Sequence, residues 1–287
     1  MKLVQRTFIP GSRWIYFKLY VGNNTADKVL SHHITYIINN IKKKKIIDKW
    51  FFVRYSDSDF HIRIRILLKD EAYIGEVINL FYKRLRSLVQ SNLIWKMQLD
   101  TYNRELERYS NKLIEVAESI FFHDSECTLS IIKKLENEDH RWMISLKMID
   151  SLLTDFSFDI TSKLEIMEQV SNSFKIEFGF NQYNCKQLNT KYRENKRNIE
   201  NVFNDTIKEN SFRALYIPIY KRSKKLIPLV KEFNDNFPTN KNDLILSYIH
   251  MMLNRLFHSK NRLHELVLYD FMKRYYTSEK AKSKYNN

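Results

Sequence analysis

The chain has 287 residues, enough to bury a core as one large domain or two small ones. Charged residues make up 28% and hydrophobic residues 44%, as in ordinary globular proteins, and four glycines with four prolines exclude long flexible linkers. The formal net charge of +15 favours an acidic partner, such as nucleic acid, anionic lipid or an acidic peptide, without choosing among them.

In chain order, Trp14–Val21 alternates aromatic or β-branched residues with polar ones after Pro10-Gly11-Ser12, which predicts a strand. Asn24 or Thr25 then caps a predicted helix through about Ile41, and Lys42–Lys45 is expected as a solvated loop. Lys49–Tyr55 and Phe60–Leu68 read as two strands joined by the turn Ser56-Asp57-Ser58-Asp59. A helix over Glu71–Gln90 and a strand over Leu93–Leu99 complete a β-α-β-β-α-β order, which is ferredoxin-like. From Thr101 onward the periodicity is helical, with segments at 103–122, 125–136, 139–155, 159–174, 189–208, 213–234, 240–257 and 260–276. Asp124 or Ser125 is the expected cap of the second of these, and Lys280–Asn287 a frayed basic tail. The fold class expected is therefore α+β, a sheet unit over 1–102 packed against a mostly helical half over 103–287, together one domain.

The segment His61-Ile62-Arg63-Ile64-Arg65-Ile66-Leu67 is the most informative in the chain. Its period of two sends the isoleucines to one face, and His61, Arg63 and Arg65 to the other. Two guanidinium roots roughly 7 Å apart on a rigid strand suit the grip of one polyanionic ligand. A half-exposed strand with solvated arginines accounts for the same pattern.

Two further clusters bear polar chemistry. In Asp100–Tyr109, Glu105 and Arg108 stand at i, i+3 of a predicted helix and can touch, as a surface ion pair would. In His250-Met251-Met252-Leu253-Asn254-Arg255, a histidine and an arginine sit in an apolar helix, where a buried charge requires an anion from the protein or from a ligand. No Gly-rich phosphate loop, nucleophile elbow or H-E-x-x-H is present, and Cys127 and Cys185 show no metal-ligand spacing. Two free thiols fit a reducing cytoplasm, the start lacks a signal-peptide stretch, and no window is long and apolar enough for a membrane span. The expected location is the cytoplasm.

Taken together, Pro10–Tyr20, Trp50–Tyr55, His61–Arg65, Tyr102–Tyr109, Ala117–Phe121 and His250–Arg255 resemble, in order, the elimination domain of lantibiotic dehydratases. The same domain is also found as stand-alone thiopeptide-type bacteriocin biosynthesis proteins. The likeness covers almost the whole chain. One departure stands out: Ser110-Asn111 replace the glycine pair that usually follows the family's Arg-Tyr.

The resemblance implies a lyase that removes glutamate from a glutamylated Ser or Thr of a ribosomally made precursor peptide, leaving dehydroalanine or dehydrobutyrine. It implies Arg63, Arg65, Glu105, Arg108 and His250 as catalytic residues, with Arg54, His61 and Arg255 binding substrate, and neither cofactor nor metal. A separate glutamylation subunit would supply the ester, no direct tRNA or membrane binding is expected, and a homodimer is left open. His250 is the candidate base, since imidazole is neutral near pH 7. The nearest competing activity is the [4+2] pyridine-forming cyclisation of some stand-alone relatives. An RNA-binding module shares the strand order, yet it would need aromatics where this third strand carries Arg63 and Arg65.

Overall fold

Strand alternation in the first third of the chain builds one antiparallel sheet. The computed structural model describes residues 4–236 and 241–285. After a two-residue strand β1 (Thr7–Phe8), β2 (Trp14–Val21), β3 (Ile47–Ser56), β4 (Phe60–Leu68) and β5 (Ile94–Leu99) lie side by side in the order β3-β4-β2-β5. Helix α1 (Asn23–Lys28), a π-helical segment Val29–Ile34 and α2 (Thr35–Lys43) join β2 to β3, and α3 (Ile74–Gln90) joins β4 to β5. This is the ferredoxin-like arrangement that the sequence predicts. A short β6 (Tyr102–Asn103) pairs with β1, and alternation cannot reveal strands of two residues.

One face of the sheet makes the core. Ile15, Phe17 and Leu19 of β2 and Ile62, Ile64 and Ile66 of β4 are buried against Val29, Ile34 and Ile37 of the first crossover and Val77, Phe81 and Leu85 of α3. Phe17 and Phe81 stack with ring centroids 4.0 Å apart.

Beyond β6 every described element is a helix: α4 (Leu106–Lys134), α5 (Asp139–Asp155), α6 (Ile160–Glu177), α7 (Gln182–Phe203), α8 (Asn210–Arg213), α9 (Tyr216–Asp235), α10 (Lys241–Leu256) and α11 (Asn261–Tyr285). Two compact units result, 1–133 with 231–259, and 134–230 with 260–287. The change from strands to helices falls at Tyr102–Asn103, whereas the first compact unit also takes in most of α4 and all of α10.

Other expectations are corrected. Helices expected at 103–122 and 125–136 form one element, interrupted only by non-helical Ser110, so Asp124 and Ser125 lie mid-helix and cap nothing. Both are buried and bond to distant residues. Lys42 and Lys43 form the last turn of α2, where cations suit the helix dipole, and Lys42 pairs with Glu126 at 2.6 Å. Helix α7 starts at Gln182 behind an Asn181 capping box, and α11 runs to Tyr285 where a frayed tail was expected. Asn240, the expected start of α10, and the last two residues lie outside the described residues.

Strand β3 is an edge strand, and its outer edge is closed by side chains rather than by another strand. Ser125 Oγ accepts from Phe52 N (3.2 Å), and Arg255 Nε donates to Phe52 O (2.8 Å). Asn254 Oδ1 accepts from Arg54 N (2.9 Å), while its Nδ2 donates to Arg54 O (2.8 Å). The carboxamide thus stands where the peptide group of a fifth strand would be, so buried main-chain groups keep partners. We expect Asn254→Ala to destabilise the fold by about 2 kcal/mol, since it strands an N–H and a C=O together. Urea unfolding followed by circular dichroism measures this, and an unchanged midpoint would contradict it.

Candidate active site

The second face of the sheet carries the charges. Strand parity places Arg63 and Arg65 there, beside Tyr16 and Lys18 of β2 and Phe51 and Val53 of β3, their cross-strand partners. The Arg65 guanidinium carbon lies 4.7 Å from the ring centroids of both Tyr16 and Tyr102, and 5.4 Å from that of Phe51. Aromatic faces attract a cation without neutralising it. Among the described residues Arg65 has no carboxylate partner, and its buried Nε has no hydrogen-bond acceptor. Tyr102 is held from behind: its hydroxyl donates to Glu118 Oε1 (2.9 Å), and Arg104 donates two bonds of 2.7 Å to the same fully buried carboxylate.

Arg63 is held differently. Its Nε donates to His61 Nε2 at 3.0 Å, and its guanidinium carbon lies 3.4 Å over the Tyr55 ring. Arginine can only donate, so His61 Nε2 is unprotonated and Nδ1–H donates to Asp59 O (3.0 Å). His61 is fully buried, with Tyr20 at 4.7 Å and Tyr55 at 5.7 Å between ring centroids. Burial, helped by the Arg63 charge, lowers its pKa below the ordinary value of 6.5, against the raising effect of the Asp59 bond. The nearest carboxylate to Arg63, that of Asp57, is 3.9 Å away and partly exposed.

Helices α4 and α10 meet over this face. Phe121 lies 5.5 Å from Phe51, and Arg255 stands 4.8 Å over Phe121. Tyr109 stacks on Tyr248 at 5.8 Å. Burial, with Glu105 adding, pushes the Tyr109 hydroxyl up to about 12, opposed by Arg108 and Arg255. Arg108 and Glu105 form a half-exposed pair at 3.5 Å, as their spacing predicts. His250 occupies a half-buried position of α10, on the same helix face as Asn254 one turn on. Among the described residues no cluster of His, Cys, Asp or Glu could hold a metal ion.

Two of the expected substrate-binding residues have structural partners instead. Arg54 lies opposite Ile62, hence on the core face, where it bonds Asp27 and Arg255 O. Arg255 is completely buried and pairs with Asp124 at 3.1 Å, so its anion comes from the protein. One of its nitrogens, Nη2, keeps no acceptor. The sequence marks none of Tyr16, Tyr102 and Glu118 as site residues and Asp124 only as a helix cap, since nothing local distinguishes a supporting tyrosine or a buried carboxylate from an ordinary one.

Ser110 adopts φ 60°, ψ 160° inside α4, directly after Tyr109. That conformation belongs to glycine and costs a serine about 1–3 kcal/mol. We expect Ser110→Gly to raise stability by about 1 kcal/mol and Ser110→Ala to leave it no higher, as read by urea unfolding. A second expectation concerns pH. Because unfolded His61 protonates near 6.5 and folded His61 only below that, its contribution is complete above 6.5 and declines as the pH falls toward the folded value. Stability measured from pH 7.5 to 5 therefore falls, and His61→Gln flattens part of that slope; an equal slope in the variant would rule this out.

Comparison with known proteins places the chain in a family. Residues 14–276 match the family described as lantibiotic biosynthesis dehydratase C-term. The subtilin biosynthesis protein SpaB of Bacillus subtilis is 26% identical over 278 residues, 92% of this chain and 25% of its own length. The chain thus spans about a quarter of that curated relative. In fold it is similar to the tRNA-dependent lantibiotic dehydratase MibB from Microbispora sp. 107891 (TM-score 0.69, 18% identity, 96% of this chain and 29% of that one). It is similar also to TbtD, a pyridine synthase from thiomuracin biosynthesis (TM-score 0.66, 10% identity, 93% of this chain and 98% of that one). With a family match over both compact units, the chain belongs to the lantibiotic biosynthesis dehydratase C-terminal family.

Proposed function

We propose that this chain is the elimination subunit of a split dehydratase, removing glutamate from glutamylated Ser or Thr of a precursor peptide that a separate glutamylation subunit has esterified. The observation that carries the reading is a division among the arginines of the sheet unit. Arg54, Arg104 and Arg255 each hold a carboxylate, from Asp27, Glu118 and Asp124. Arg63 and Arg65 are instead held by rings and an imidazole, which leaves their charge for a ligand.

In the proposed step His250 takes the Cα proton of the esterified residue. The C–H electron pair becomes the Cα=Cβ bond, the Cβ–O bond breaks, and glutamate leaves as its carboxylate. Negative charge grows first on the peptide carbonyl and then on the departing carboxylate, and preorganised cations stabilise both in a partly dry site. Arg65 and Arg63 supply those cations, and Arg108, oriented by Glu105, binds the second carboxylate of the glutamyl group. His61 acts through Arg63, which it orients.

A second reading is pyridine-forming cyclisation of two dehydroalanines, suggested by the likeness in fold to the pyridine synthase TbtD. One assay separates the two. Purified protein incubated with a glutamylated precursor peptide is expected to give dehydro residues and free glutamate, read by mass spectrometry. Arg65→Ala, shown folded by circular dichroism, should lower the rate by about 10²–10³, the scale of losing one oxyanion donor. If the esters survive while a peptide containing two dehydroalanines cyclises, the second reading replaces the first.

A further inference from the structure

The helical unit holds a cavity for which the elimination reading has no use. Helices α6, α7 and α11 converge on a concave pocket of about 520 Å³ lined by Lys175, Arg193, Lys196, Lys273 and Arg274. That volume falls among small-ligand sites. The one acid in the lining, Asp270, has a side chain only 1% exposed, and it accepts from both Lys175 and Arg274. Its carboxylate fixes two cations in place and cancels one charge. Glu168 and Glu200 approach Lys273 and Lys196 only to 3.9 Å. Counting all three acids still leaves two positive charges in surplus, drawn together from three helices against their mutual repulsion.

We propose that this cavity binds a phosphate-bearing ligand with at least two negative charges. Lysine ammonium groups are compact point charges with donors in several directions, and they suit a tetrahedral phosphate. Thr277 and Ser278 bring hydroxyls to the same wall, and Tyr192 brings a ring with the Arg274 guanidinium 5.7 Å from its centroid. An extended acidic peptide fits less well. Its recognition relies on main-chain pairing at a sheet edge, and the walls here are helices whose main-chain groups are bonded internally. Lys186 and Arg197 stand seven residues before and four after Arg193 on α7, so they continue the basic side of that helix beyond the pocket. The phosphates belong either to a small ligand or to a nucleic-acid backbone running along α7.

The test is calorimetric titration of the full chain at low salt, with inorganic pyrophosphate and, separately, with a short single-stranded RNA. Saturable binding of one ligand per chain is expected for at least one of them. Arg193→Ala with Lys196→Ala should weaken it at least about tenfold, since each contributes a charge-assisted hydrogen bond. Lys224→Ala with Lys225→Ala, which removes the same charge from α9, should leave it unchanged. Tight pyrophosphate binding without RNA binding identifies a small ligand; RNA binding that the pocket variant abolishes identifies a backbone. Three results would overturn the proposal: no saturable binding of either, equal loss in the α9 variant, or a glutamate-rich peptide bound in preference to both.

Discussion

The sheet unit depends on how the free edge of β3 is closed. An antiparallel edge strand leaves main-chain donors and acceptors without partners, and burying them unpaired is prohibitive. Asn254 supplies both halves of a peptide group to Arg54, and Arg255 supplies a donor to Phe52, across roughly two hundred positions of sequence. The exchange is reciprocal, because the Arg54 guanidinium returns a bond to the main-chain oxygen of Arg255. Once α10 is docked this way, Tyr248 meets Tyr109, and the start of α4 is tied to the arginine face of the sheet.

That face then separates two kinds of cation. Buried arginines with carboxylates are frozen in place and carry little residual charge outward. Those supported by rings keep theirs, because a π-face orients a guanidinium while leaving its N–H groups unspent. The imidazole of His61 does the same for Arg63 only while neutral, and its burial keeps it so. Electrostatic stabilisation is strongest where donors are fixed before the charge appears. The aromatic box around Arg65 and the Glu118–Tyr102 brace behind it are such fixtures.

Two departures from regularity lie in the sheet unit, and only one of them adjoins this face. The π-helical segment in the first crossover includes His32 and His33, yet it lies with the core-facing helices, away from the arginine face. The strained Ser110 immediately follows Arg108 and Tyr109. Its φ sets the angle at which the first turn of α4 leaves the rest of the helix, and so where Arg108 starts.

Much was legible in the sequence because it depends on chain neighbours alone. Alternation in β4 assigned Arg63 and Arg65 to one face, periodicity assigned most helices, and the i, i+3 spacing assigned the Glu105–Arg108 pair. What tertiary structure alone decided is which polar residue meets which. Asp124 and Ser125 have the chemistry of a helix cap, and the same chemistry serves to satisfy Arg255 and the edge of β3. Arg54 and Arg63 are both strand arginines, yet the register of β3 against β4 turns one to Asp27 and the other to His61. Local periodicity fixes the direction of a side chain, whereas its charge is neutralised or left available by partners that only the folded chain brings within reach.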